Sequence, residues 1–337
     1  MGTVTEIHIA QRTGFCYGVR EAIDKAKEAS AAGKTTHTLG QVVHNEGVIT
    51  DLESLGIRTV ETLDDVDSGA AVVIRAHGVR PEVMERAEAR GLEVIDGTCT
   101  WVIQEQRELA KLVEEGYTIV LLGTPKHPEV VGLLGFAPDA IVVDEEADWD
   151  RIPRRKKMAL ISQSTQPPWK FEKLAAHMVG RSHELKIINT VCPVTIRRQE
   201  DTLVAARSVD LMVVVGGRSS ANTKELTRLC EIVGTRAIQI EGKADLDDAA
   251  VFDGARVVGV TGGTSTPIED LRDVAERVLT LAGTPETAAH ADTLALAALA
   301  AAATPAGRTT SLPTPSRPPA DLASADLASA DVASGAA

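Results

Sequence analysis

Over the first 283 residues, short runs of aliphatic and β-branched residues alternate with longer stretches in which apolar side chains return every three or four positions. The continuous runs predict strands buried on both faces, and the 3.6-residue period predicts amphipathic helices against them. One pattern occurs three times. Helices are expected at 18–31, 101–115 and 194–207, each followed by a strand at 35–39, 117–122 or 211–215. Each strand ends in a polar tip: His44-Asn45, Lys126-His127-Pro128-Glu129, and Ser219-Ser220-Ala221-Asn222. A second helix and a minor strand follow. A further buried strand then appears at 71–75, 157–161 or 256–260, with a second polar tip. Those tips are Ala76-His77-Gly78, Ser162-Gln163-Ser164-Thr165 and Gly263-Thr264-Ser265-Thr266. A third helix is entered at Pro81, at Pro167-Pro168 or at Pro267, as suits a proline in the first turn. In the first two units a strand at 92–95 or 184–188 leads on to the next unit.

The expected fold is α/β: three pseudo-threefold-related αβ domains with mostly parallel sheets around a central site, at 1–97, 98–190 and 191–283. In such sheets ligands sit beyond the carboxyl ends of the strands, where all six polar tips fall. From about 284 onward Ala, Ser, Thr and Pro take over, with near-copies of Asp-Leu-Ala-Ser-Ala at 321–325 and 326–330. That composition lacks the large apolar residues that offset ordering entropy, so 284–337 reads as a disordered tail, with 291–303 its one helical candidate.

Composition narrows the function. Lys+Arg 35 against Asp+Glu 48 leaves −13, which disfavours a nucleic-acid backbone, and nine aromatics among 337 residues are too few for a base-stacking platform. The longest apolar run, 294–303, is too short to span a bilayer, and no cationic start precedes an apolar run. A cytoplasmic protein with no membrane partner is the expectation.

Each repeat opens with a loop cysteine, in Gly14-Phe15-Cys16, Gly97-Thr98-Cys99 and Thr190-Val191-Cys192. These are too far apart in sequence for a local zinc finger, yet they stand at one point of the repeat. Three converging thiolates select zinc, copper(I) or an iron–sulfur cluster. A cubane on three cysteines keeps one iron open to substrate, and a three-cysteine, one-histidine zinc site is the rival. Cys230, at helical spacing from Leu226 and Leu229, reads as a small core residue. The tips suit a small anion. His44, His77 and His127 offer imidazole donors, and Ser220, Asn222 and Ser265 offer hydroxyl and amide donors near helix starts. Glu129 is the candidate proton donor. A first-turn helix position lowers its pKa, whereas a nearby diphosphate and an anionic cluster raise it.

The motifs Gly14-Phe15-Cys16-Tyr17-Gly18-Val19, Val43-His44-Asn45, Ala76-His77-Gly78-Val79, His127-Pro128-Glu129-Val130 and Ser265-Thr266-Pro267, in that order, resemble those of the 4-hydroxy-3-methylbut-2-enyl diphosphate reductases. Asp96-Gly97-Thr98-Cys99 and Cys192 with Thr195, Arg198 and Gln199 support the resemblance, which covers roughly 10–280. It implies three αβ domains around one 4Fe-4S cluster held by Cys16, Cys99 and Cys192, with the fourth iron open to the substrate hydroxyl. It implies a reductive dehydroxylation giving isopentenyl and dimethylallyl diphosphate, the last step of the methylerythritol phosphate pathway. By the same resemblance Glu129 delivers the proton, Ser164 and Thr165 match an active-site threonine pair, and His44, His77, His127, Ser220, Ala221, Asn222 and Ser265 hold the diphosphate. Ferredoxin or flavodoxin is the implied electron donor, and a monomer the expected state.

Some positions depart from the family pattern. Ala221 replaces a serine and removes one hydroxyl, Thr100 stands where proline is usual, Ser164 replaces a threonine, Gln106 a histidine, and Lys126 a glycine. Two further readings therefore stand beside the reductase: a paralogue acting on a related allylic diphosphate, and a non-catalytic iron–sulfur redox sensor.

Overall fold

The computed structural model describes residues 4–282. Twelve strands form three four-stranded sheets in that range. The strands are β1 (Glu6–Ile9), β2 (Thr36–Leu39), β3 (Ile57–Val60), β4 (Ala71–Ile74), β5 (Glu93–Asp96), β6 (Thr118–Leu122), β7 (Ile141–Val143), β8 (Arg155–Ser162), β9 (Ser182–Ile187), β10 (Leu211–Val215), β11 (Arg236–Ile240) and β12 (Val257–Gly262). The helices are α1 (Tyr17–Ala31), α2 (Glu46–Ser54), α3 (Pro81–Ala89), α4 (Thr100–Glu114), α5 (Pro128–Leu133), α6 (Pro168–Met178), α7 (Pro193–Ala206), α8 (Ala221–Ile232) and α9 (Ile268–Leu281).

The sheet orders are β3-β2-β4-β5, β7-β6-β8-β9 and β11-β10-β12-β1, with every pairing parallel. The three orders are one order. Of their central strands, β4 and β10 are unbroken apolar runs buried throughout, Ala71–Ile74 and Leu211–Val215, whereas β8 begins exposed and β2 reads Thr-His-Thr-Leu. Most expected helices and strands begin and end within a residue or two of the observed ones.

The chain's amino end departs from expectation. No strand was expected before residue 35, and residues 1–97 were read as one unit. Instead β1 pairs with β12 and completes the third sheet, Ile7 opposite Val258 and Ile9 opposite Val260. The third repeat thus takes its last strand from the start of the chain, in the place that β5 and β9 fill in the other two. Four residues with only Ile7 below a tenth exposed are too short a signal for periodicity to detect.

By contact density the chain forms two compact units. One, Cys16–Cys192, contains the first two sheets. The other joins residues 4–15 to 193–282 and contains the third, over a core that includes Val213, Val215, Phe252, Val258 and Val274. The tail expected at 284–337, with its helical candidate, lies outside the described residues.

Within each sheet the two central strands end at one level. Leu39 is opposite Ile74, Leu122 opposite Ser162, and Val215 opposite Gly262. The loops leaving those ends therefore emerge side by side. These loops are the six polar tips, and the register brings the two tips of each sheet together.

Candidate functional site

In the unit Cys16–Cys192, the cysteines sit where helices start. Cys16 and Cys99 are the N-cap residues of α1 and α4, and Cys192 directly precedes α7. Free backbone N–H groups at a helix start favour a thiolate over a thiol. Cys99 N–H donates to the Ala76 carbonyl (3.0 Å) and Cys192 N–H to the Ser164 carbonyl (2.8 Å), which ties each cysteine to a strand-tip loop. Gly18 explains how the sulfurs come close. A Cβ there would lie 2.6 Å from Cys99 Sγ, so the second residue of α1 is bare where the Cys99 side chain passes. Burial pushes the Cys99 thiol up to about 12, and the neighbouring sulfurs of Cys16 and Cys192 add to the rise. Cys99 Sγ lies within electrostatic reach of Cys16 and Cys192, none of the three is in a disulfide, and a bound cation would offset the charge on their thiolates. The donor set fits a soft metal centre with three protein ligands.

The second group is a triad of imidazoles. His44 leaves β2, His77 leaves β4, and His127 caps α5; their ring nitrogens offer one atom each within 4.8 Å of one another. Ring centroids lie 5.2 to 6.4 Å apart. His127 Nδ1 accepts from Glu129 N–H (3.2 Å), which leaves the ring proton on Nε2. Burial lowers all three pKa values, His127 to about 4 and His77 well below the ordinary histidine range; the Arg75 guanidinium pushes each the same way, and neighbouring rings add to the fall at His77 and His127. The rings are neutral donors near neutral pH, and the full positive charge beside them belongs to Arg75. Arg75 directly precedes Ala76-His77-Gly78 in the chain. Gly78 has φ +70, and a Cβ there would lie 2.7 Å from Gln106 Nε2, so this turn needs glycine twice over.

Glu129 is 1% exposed on the first turn of α5. Its two oxygens accept from Ser164 N–H, one of the shortest contacts in the site at 2.5 Å, and from Ser164 Oγ (2.8 Å). Burial raises its pKa against those two donors. Burial is thus the largest effect on this carboxyl, and it acts upward. Thr165 Oγ1 accepts from Gln163 Nε2 (2.8 Å), which leaves its hydroxyl proton free to donate, and Gln163 in turn receives Thr124 N–H (3.0 Å). A second carboxyl, Glu105, lies buried beside Glu129 and was not among the expected site residues.

In the other unit, Ser220 Oγ caps α8 by accepting from Thr223 N–H (3.3 Å). Asn222 is 5% exposed with neither side-chain polar atom hydrogen-bonded, an unusual state that a ligand would relieve. The loop after β12 reaches the same place, since a Cβ on Gly263 would stand 3.6 Å from Asn222 Nδ2. Ser265 is two residues further along, partly exposed. Ala221, the first residue of α8, is exposed and contributes main chain alone. Buried Arg198 donates to the carbonyls of Gly262, Gly263 and Gly14 (2.7 to 2.8 Å), locking the ends of β12 and of the β1 loop. Cys230 is fully buried in an apolar cluster with Met212, Val214 and Leu226, as expected. No helix among the described residues is long and apolar enough to cross a membrane.

A family model described as LytB protein matches residues 7–279. The 4-hydroxy-3-methylbut-2-enyl diphosphate reductase of Geobacter sp. (strain M21) is 37% identical over 274 residues, covering 81% of this chain and 96% of that one. The protein of the same name from Geobacter sulfurreducens is 38% identical with the same coverage. A solved structure of (E)-4-hydroxy-3-methyl-but-2-enyl diphosphate reductase, the terminal enzyme of the non-mevalonate pathway, matches with a TM-score of 0.63 and 32% identity, covering 82% of this chain and 100% of that one. The reductase from Plasmodium falciparum matches with a TM-score of 0.77 and 26% identity, covering 82% and 88%.

Proposed function

The chain belongs to the LytB family, and from that premise we propose that it is a 4-hydroxy-3-methylbut-2-enyl diphosphate reductase. It breaks the allylic C–O bond of its substrate, consuming two electrons and two protons and releasing water with isopentenyl and dimethylallyl diphosphate. The observation that carries this reading is the set gathered in one unit: three cysteines at or just before helix starts, three neutral imidazoles and a buried glutamate.

Cys16, Cys99 and Cys192 would hold a 4Fe-4S cluster, which when bound supplies electrons and an open iron for the substrate hydroxyl. The protein's own residues do the rest. Neutral His44, His77 and His127 donate to diphosphate oxygens, with Arg75 as the balancing charge. Ser220, Asn222 and Ser265 add hydroxyl and amide donors, and Ala221 adds only the N–H groups at the start of α8. Glu129, whose pKa burial raises, passes a proton to the departing oxygen, and Ser164 and Thr165 orient that proton path. One proton leaves in water and the other ends in the new C–H bond. Ferredoxin or flavodoxin is the class of electron donor that this chemistry calls for.

Anaerobic protein with its cluster, reduced viologen and substrate should release isoprenyl diphosphates, and Glu129→Gln should lose about 10²–10⁴-fold in kcat, the usual contribution of a positioned acid. Turnover by Glu129→Gln equal to the parent's removes the proton-donor role. A reducible cluster with no turnover on any allylic diphosphate makes the protein a redox sensor instead.

A further inference from the structure

Helix α4 is amphipathic, and its buried face reads Val102, Glu105, Leu109, Leu112, at spacings of three and four. A carboxylate occupies a position whose register asks for an aliphatic residue. Glu105 is 1% exposed, and neither of its oxygens has a hydrogen-bond partner of normal geometry. Buried glutamates without a cation or a set of donors are rare, because ionising one away from water costs several kcal/mol. The charges that act on it are the carboxyl of Glu129 on α5 and the sulfurs of Cys192 and Cys99, all negative when ionised.

We propose that Glu105 is a positioning residue for Glu129, sharing one proton with it so that the pair, rather than a single glutamate, is the acid of this site. The proposal rests on the proton-donor role given above to Glu129. Two buried carboxyls side by side cannot both ionise without strong repulsion, so the pair retains one proton over a wide pH range. Glu129 spends both oxygens on Ser164, an arrangement suited to its charged form. Glu105 has no such donors, so the resting proton sits on Glu105 and is directed at Glu129. Burial and the neighbouring carboxyl hold Glu105 well above the ordinary glutamate range, further than Glu129.

When the substrate hydroxyl leaves as water, the shared proton passes from Glu105 to Glu129 and from Glu129 to the departing oxygen. That single transfer leaves the pair doubly charged, a strong base that recovers one proton from solvent before the next turnover. The bookkeeping is unchanged: two protons in, one water and one C–H bond out. What Glu105 changes is the pH up to which the acid stays loaded.

The test uses the full-length holoenzyme with reduced viologen. Glu105→Gln is expected to keep KM within about two-fold, lower kcat, and move the alkaline fall of the kcat profile down by roughly one pH unit, a tenfold loss of acid at the upper limb. Glu105→Asp should restore part of that limb. Independently of turnover, the infrared spectrum of the parent near pH 7.5 (about the pH of the assay) should contain a protonated-carboxyl C=O band absent from Glu105→Gln. If Glu105→Gln does not fold, Glu105→Leu, which suits the apolar register, replaces it in both measurements. A variant profile that superimposes on the parent's while Glu129→Gln is inactive overturns the proposal, and so does a parent without the band. A fully active Glu129→Gln with the Glu105 band intact instead removes the donor role on which the proposal rests.

Discussion

At the scale of single residues, the site depends on side chains whose surroundings forbid their ordinary ionisation. The raised pKa of Glu105 has a sign that can be checked against stability. A group whose folded-state pKa lies above its unfolded value stabilises the protein fully below the unfolded pKa, and that contribution is lost as pH rises through the folded pKa. Glu105→Leu should therefore gain on the parent in anaerobic denaturant titrations as pH rises from about 5 to 8, starting just above the unfolded glutamate value near 4.3. An unchanging difference across that interval would mean that the folded-state pKa of Glu105 is not raised above its unfolded value. The cysteines divide by location. Cys16→Ser, Cys99→Ser and Cys192→Ser should each lose the visible absorbance and iron of the cluster, whereas Cys230→Ser, in its apolar pocket in α8, should retain both.

At the scale of elements, helix starts do most of the positioning. Cysteines stand at the mouths of α1, α4 and α7, His127 at that of α5 and Ser220 at that of α8. Sulfurs are aimed by backbone caps rather than by long side chains, so small changes there act on assembly of the centre. Gly18→Ala puts a methyl 2.6 Å from Cys99 Sγ. It should reduce iron content while costing only the ~1–3 kcal/mol of a local overpacking. Normal iron incorporation in that variant would mean that α1 does not confine the Cys99 sulfur. Sequence periodicity located α1 and α4 to within a residue because each has a clear apolar stripe. The same stripe in α4 contained the signal for Glu105, a carboxylate in register with Val102 and Leu109, which a search for loop motifs does not reach.

At the scale of the whole molecule, the third sheet is closed by the first strand of the chain. Removing residues 1–10 strips β1 from β12 and exposes a parallel edge in the unit formed with 193–282. Hydrogen exchange should accelerate at Val258 and Val260 in β12 while β2 and β4, in the Cys16–Cys192 unit, keep their protection. Equal loss in both units would mean that they unfold as one. Removal of residues after 283 should leave turnover and iron content unchanged, as measured on the loaded enzyme.

The sequence alone determined three repeats, their parallel strands and helices, the six polar tips and three cysteines at equivalent positions. It could do so because continuous apolar runs, helical periodicity and turn residues are local signals that survive without knowledge of partners. Tertiary structure decided which strands share a sheet, that β1 belongs with β12, and that Glu105 and Arg75 stand beside residues distant in sequence. Pairing of a four-residue edge strand, and the electrostatics of a buried carboxyl, depend on what the folded chain brings within a few ångströms. No pattern along a single segment encodes that.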